Sequence, residues 1–414
     1  MLEATHAVLQ GLFRLQRRFD PVVRPILRPL FKGPLTRLVQ ASINLTRDRD
    51  VPPLGQERID PKDEELTSAI VADMCAHLAQ DFAPGKVERA GQTKTYGVVA
   101  ATLTVLEDIP ERLRMGVFAE PRSYDAWVRF SNPGPHLDAD IDDVGVASIG
   151  VKLLGVAGDK LIEEERATQD FTAISTPMFV SRNLKANVAL QHWSRRHLGL
   201  YYFLNPRASH LRELVMQGLW AEVLRNPLGQ VYYSCVPYRH GPDRAVQYAF
   251  HPQGKVTGRV PRLPLRPPDD YLAQNMAASL VTGPAEFTMT VQEQADPFRT
   301  PIEDAAVIWP ERLTPHIPVA SLTIPPQNCR TPERLALDRH MRINPWHSLE
   351  AHRPLGNQNR GRLRIYSALA QYRQAKNGEP HVEPEPDPVL HRATTLSRAT
   401  GAARRPDRGD VKWT

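Results

Sequence analysis

The chain has 414 residues, with 52 Lys and Arg against 46 Asp and Glu and a net charge of +6. That length suits one large domain with appendages or two domains, and its 38 prolines argue against an all-helical bundle and for long irregular connections around a β core. No basic face interleaves with stacking aromatics, which excludes a nucleic-acid binder; three distant cysteines (Cys75, Cys235, Cys329) exclude a disulfide framework or zinc knuckle and suit a reducing compartment; no apolar run of about 18 residues offers a membrane-spanning helix.

Residues 1–58 form a basic, apolar N-terminal arm. Leu12, Leu15, Phe19, Val23, Ile26, Leu27 and Leu30 alternate with Arg14, Arg17, Arg18, Arg24 and Arg28, and Pro21, Pro25, Pro29 and Pro34 predict that the arm is broken into short pieces. The short apolar stretch followed by arginines is not a secretory signal. Two readings of the arm remain: a segment lying on an anionic membrane surface, or an arm packed on the body of the protein or on a second subunit, which is preferred.

A helix is expected over 61–82, with Asp63, Glu64 and Glu65 in its first turn, where the helix dipole favours acids. His77, within it, reads as an ordinary surface or core histidine. From Val98 to Leu106 the pattern turns alternating and β-branched, a strand. Further strands are expected at 126–130, 149–156, 230–236, 245–251, 286–291 and 319–324, and helices at 209–225 and 269–281. In the strand at 286–291, Phe287, Met289 and Val291 share one face and Glu286, Thr288 and Thr290 the other, an antiparallel pattern with one half-polar face. No internal repeat is present. Past Gly378 the chain turns Pro- and acid-rich, then Arg-rich, and 379–414 reads as a disordered tail.

The stretch Asn359–Arg373 is predicted helical from Leu363, Tyr366, Leu369 and Ala370, with Gly378 as its stop. Arg362 and Tyr366, four apart, stand on one face. A phenol beside a guanidinium should ionise more readily, and a phenolate oxygen is a ligand suited to ferric iron.

Four stretches in order carry a resemblance: Arg89-Ala90-Gly91-Gln92 before the first strand, Trp127-Val128-Arg129-Phe130-Ser131, Asp170 to Phe179 with its Ser175-Thr176-Pro177, and His352-Arg353-Pro354-Leu355-Gly356 running into Gly361 to Tyr366. Over residues 59–378 they resemble the haem catalases, and more closely the small, divergent catalase-like branch. The resemblance implies an α+β fold, a closed antiparallel β-barrel with surrounding helices, and a buried haem b. It places the axial ligand on Tyr366, the arginine beside it on Arg362, the arginines for the haem propionates on Arg89 and Arg129, and a phenylalanine packed on the haem at Phe179. Arginine suits the propionates independently, since its planar fork pairs with buried carboxylates as lysine cannot.

The chain departs from the family on the distal side. The family's acid–base histidine falls on Gln92, its asparagine on Ser175, and its Arg-Gly before the third strand on Ala147-Ser148. Gln92 can donate and accept hydrogen bonds but cannot shuttle a proton near neutral pH. The expectation is therefore a haem-dependent oxidoreductase acting on hydrogen peroxide or organic peroxides, with weakened dismutation and with Gln92 and Ser175 orienting the peroxide. The alternatives are a haem lyase or isomerase of lipid hydroperoxides and a non-catalytic haem-binding protein. NADPH binding, a homo-oligomer and peripheral membrane contact stay open, and a cytoplasmic location is expected.

Overall fold

Alternation of β-branched and small residues builds the centre of the molecule. In the computed structural model, which describes residues 2–254, 256, 258–260 and 267–388, the strands are β1 (Thr95–Val105), β2 (Ser123–Ser131), β3 (Ser148–Leu154), β4 (Thr168–Ile174), β5 (Tyr232–Tyr233), β6 (Tyr238–Arg239), β7 (Ala245–Gln253), β8 (Ala285–Glu293) and β9 (Ile317–Ile324). All pairings are antiparallel, in the order β5-β4-β3-β2-β1-β9-β8-β7, and β5 pairs back onto β7, closing an eight-stranded barrel; β6 lies against β7 outside that circuit. Closure leaves the barrel strands no open edge.

The period of two decides what faces where. Val99, Leu103, Val128, Val151, Phe171, Phe250, Phe287, Met289 and Leu322 fill the interior and are fully buried. Each contributes roughly 1.5–3 kcal/mol by leaving water. The intervening positions of β1 and β2 face outward, where Val98, Ala100 and Trp127 meet Met341. On the outer face of β3 and β4, Lys152 is buried between Asp170, at 2.8 Å, and Glu165, with His347 beside them. A lysine with no exposed surface is tolerable only when so paired.

Among the described residues, eight helices surround the barrel: α1 (Leu2–Leu45), α2 (Asp63–Asp81), α3 (Leu184–Ser194), α4 (Leu200–Leu204), α5 (Leu211–Trp220), α6 (Tyr271–Thr282), α7 (Pro332–His340) and α8 (Asn357–Asn377). Helix α8 crosses α2 and α3 at Gly361, where a Cβ would lie 2.4 Å from Leu184 Cδ2 and 3.2 Å from Thr67 Oγ1. It ends at Gly378, whose φ of 67° and backbone bond to Gln374 make a left-handed cap.

The arm is not broken into short pieces. It is the continuous helix α1, with Pro21, Pro25, Pro29 and Pro34 inside it. Each proline deletes one backbone hydrogen bond, and tertiary anchors compensate. Arg24 donates to the Gly218 carbonyl at 3.0 Å, Arg28 pairs with Glu222, Lys32 lies 3.3 Å over the Trp220 ring, and Arg212 donates to the Ser42 carbonyl at 2.9 Å. The polar side of the helix thus faces the protein, while Leu12, Phe19, Val22, Ile26 and Leu30 are exposed on the other side. No described helix is long and apolar enough to cross a membrane. Of the tail expected at 379–414, residues 379–388 pack against the body, with Trp127 donating to the Glu385 carbonyl and Arg334 paired with Asp387; 389–414 lie outside the described residues.

Candidate functional site

The site lies outside the barrel, under α8. A cavity of 1030 Å³ opens there, bounded by the outer faces of β2–β4, by α8 and by α1. Small-molecule and cofactor sites run roughly 300–1,000 Å³, so it can take a large group. One row of the barrel runs along its floor: Arg129 on β2 is in register with Gly150 on β3, and Gly150 with Thr172 on β4. Two strand spacings separate the ends of the row by about 10 Å.

At the Thr172 end, Arg362 and Tyr366 meet as their four-residue spacing predicts. The Arg362 Nη2 donates to Tyr366 Oη at 2.7 Å and to Thr172 Oγ1 at 2.9 Å, and Nη1 donates to Asn359 Oδ1 at 3.1 Å. Burial works against the charged guanidinium, but the oxygens of Tyr366 and Tyr238 outweigh it and raise its pKa. The phenol oxygen is therefore held by a permanent cation, in the cavity wall.

At the other end are Arg89, from the loop before β1, and Arg129, and with them Arg373, which sequence reasoning missed. Arg373 lies seven residues beyond Tyr366, two turns along the same face of α8, so helical spacing could have found it. Asp338 on α7, for which the sequence carried no signal, holds the group together. Arg129 Nε donates to its carboxylate at 2.5 Å, and Arg89 Nη2 donates to its carbonyl at 2.5 Å and to that of Met341 at 2.9 Å. One carboxylate does not satisfy three guanidiniums. Burial lowers the Arg89 pKa to about 9, and repulsion from Arg129 and Arg373 adds to the shift. Buried Nη2 atoms of both Arg129 and Arg373 have no hydrogen-bond partner. Burial opposes the charge on Asp338, but the neighbouring Arg129 and Arg89 hold its pKa below the ordinary value.

This donor set fits haem. Cationic donors with unfilled hydrogen-bonding capacity at one end of a 1030 Å³ cavity can take two carboxylates, and a phenol oxygen at the other can take the iron. Phe179, at the end of the stretch after β4, lines the same space.

The remaining residues divide. Gln92 lines the cavity at a φ of +50°, a left-handed backbone that a non-glycine residue adopts at a cost of about 1–3 kcal/mol. Ser175 is not among the cavity-lining residues. Its hydroxyl accepts from Ala147 N at 2.9 Å and its amide donates to the Ala147 carbonyl at 2.8 Å, extending the β3–β4 ladder one residue past Ile174. Strand alternation then turns Ser175 away and leaves Ile174 in the cavity wall. Ser148, opposite Ile174 on β3, lines the cavity, and its buried Oγ has no partner.

In fold, the molecule is similar to a fungal catalase at 16% identity and TM-score 0.51, over 82% of this chain and 70% of that one. It is similar also to a bacterial catalase at 16% identity and TM-score 0.51, over 81% and 67%. No protein-family model and no curated protein matches the sequence. The chain therefore has a catalase-like α+β fold, a closed antiparallel barrel ringed by helices.

Proposed function

We propose that this chain binds haem b in the cavity beneath α8 and acts on peroxides. Tyr366 would hold the iron through its phenol oxygen, with Arg362 holding that oxygen, and Arg89, Arg129 and Arg373 would take the propionates. The observation that carries the reading is the pairing of Arg362 with Tyr366 at 2.7 Å, in the wall of a cavity whose other end gathers three arginines around one carboxylate. Bound haem would supply the redox chemistry of the peroxide O–O bond.

The chain's own residues set how well that chemistry runs. Gln92 can hold a peroxide through its amide, donating from nitrogen and accepting at oxygen. It moves no proton. Lack of an acid–base group at the position of Gln92 costs about 10²–10⁴ in rate, so hydrogen peroxide dismutation should be slow. The decisive experiment measures oxygen release from hydrogen peroxide by haem-loaded protein. Slow release, above that of free haem, fits; release no faster than that of free haem contradicts it.

A second reading rests on α1. It walls the cavity through residues such as Phe13 and Arg17, while Leu12, Ile26 and Leu30 on its other side are exposed. An apolar helix face beside a peroxide site suits a lipid hydroperoxide as substrate and contact with a membrane surface or a second copy of the chain. Conversion of a fatty-acid hydroperoxide without oxygen release would favour this lyase or isomerase chemistry. The three free thiols and the lack of a spanning helix among the described residues suit a cytoplasmic protein.

A further inference from the structure

A second cluster of ligating side chains stands at the rim of the cavity, away from Tyr366. Helix α2 carries His77 and Asp81 four residues apart, one above the other on one face. The loop leaving β2 brings in His136; it is fixed there by Asn132, whose side-chain amide donates to the His136 carbonyl at 2.9 Å, and by Thr93, whose hydroxyl donates to the Gly134 carbonyl at 3.1 Å. The turn after α3 brings in His197, at a φ of +55°. The three imidazole rings lie 5.3, 5.4 and 5.7 Å apart, centre to centre.

Three observations separate this group from a chance meeting of histidines. First, His77, Asp81 and His136 each present a ligand atom within 4.8 Å of the other two. Metal–ligand bonds of about 2.1 Å would draw such atoms to roughly 3–3.5 Å, a closure that side-chain rotation can supply. Second, His77 is buried, 4% exposed, and neither of its ring nitrogens has an aligned hydrogen-bond partner. The Pro135 carbonyl and Asp81 are its neighbouring acceptors, and neither is well aligned, which leaves a buried imidazole under-satisfied. Third, the two oxygens of Asp81 are divided. His77 Nε2 is 3.6 Å from Oδ2, and His197 Nε2 is hydrogen-bonded to Oδ1 at 3.1 Å. One oxygen thus faces the cluster while a histidine outside it orients the other, as the outer shell of a metal site does.

We propose that His77, His136 and Asp81 bind a divalent first-row transition metal ion, with His197 as the residue that positions Asp81. Two imidazoles and one carboxylate are the donor set of open-sided iron(II) centres and accept zinc(II) and cobalt(II) as well. His136 and His197 line the cavity, so the site borders that space. The site uses none of Tyr366, Arg362, Arg89 or Arg129, and stands or falls separately from haem binding.

The test is a cobalt(II) titration of untagged, chelator-stripped, full-length protein, run with and without haem and followed by visible d–d absorption. One equivalent should bind and be displaced by zinc(II). Asp81→Asn and His136→Gln should each weaken binding at least tenfold, and His197→Gln by about 10–100-fold as an outer-shell change, with circular dichroism unaltered. Because three surface-proximal variants are used, buried His77 need not be touched. No stoichiometric cobalt(II) spectrum, or wild-type affinity in either Asp81→Asn or His136→Gln, would overturn the site. Binding in haem-free protein with no haem uptake would sustain it while ending the reading of the larger cavity.

Discussion

Asp338→Ala is the most informative single change for the arginine end of the cavity. The carboxylate it removes accepts from Arg129 Nε at 2.5 Å and lies 3.5 Å from Arg89 Nη2. A unit charge pair at about 4 Å is worth about 4 kcal/mol at an effective dielectric of 20, and deleting one partner of a buried pair costs about 3–5 kcal/mol. Here the loss falls on a group that already repels itself, since Arg129 and Arg373 both push down the Arg89 pKa. Haem-free Asp338→Ala protein should therefore unfold in urea with a stability about 3–5 kcal/mol below wild type. That is a large part of the 5–15 kcal/mol of an ordinary domain. The sign with pH follows from the depressed pKa of Asp338. Its contribution is full above the unfolded aspartate pKa of about 3.9 and is lost as the pH falls through the lower folded value, so the gap between variant and wild type narrows only below about pH 4. Haem should shrink the gap at neutral pH, because its propionates would supply the missing negative charge. A haem-free variant within about 1 kcal/mol of wild type, or an equal loss with and without haem, would refute this account of the three arginines.

Other outcomes follow from the same geometry. Gln92→His puts a proton-shuttling side chain at that position and should raise hydrogen peroxide turnover, by up to about 10²–10⁴, in an oxygen-electrode assay; an unchanged rate would mean that proton transfer there does not limit it. His251, on β7, has its pKa pushed down to about 4 by burial and then by His316. The unfolded chain takes up a proton there below about pH 6.5 while the folded chain resists, so stability should fall between pH 6.5 and 4, and His251→Gln should flatten that part of a urea-midpoint profile. A slope unaltered by the substitution would exclude His251 as its source.

Much of this was legible in the sequence where a pattern was local. The alternation in Val98–Leu106 gave β1, and Leu363, Tyr366 and Leu369 with Gly378 gave α8, so the Arg362–Tyr366 pair could be placed before any coordinates. Strand β4 carries no alternating apolar signal, because its outward residues Asp170 and Thr172 are polar for tertiary reasons: Asp170 pairs with Lys152 and Thr172 with Arg362. The strand expected at 230–236 shrinks to Tyr232–Tyr233, and Cys235 nearby takes a φ of +59°. The prolines of α1 misled because the rule is local, whereas Arg24, Arg28 and Arg212 anchor that helix to distant residues. Ser175 lies one residue past Ile174, and one step along a strand turns a side chain to the other face. Asp338 and His136 reach their clusters only through the fold and carry no sequence spacing to the residues they meet.

The most direct measurement of the central claim is the ferric absorption spectrum of purified protein supplied with haem, beside that of Tyr366→Phe. The account predicts stoichiometric uptake with a Soret band in the wild type, and loss of haem or a shifted ferric spectrum in the variant. A protein that takes up no haem, or a variant whose spectrum matches the wild type, would contradict it.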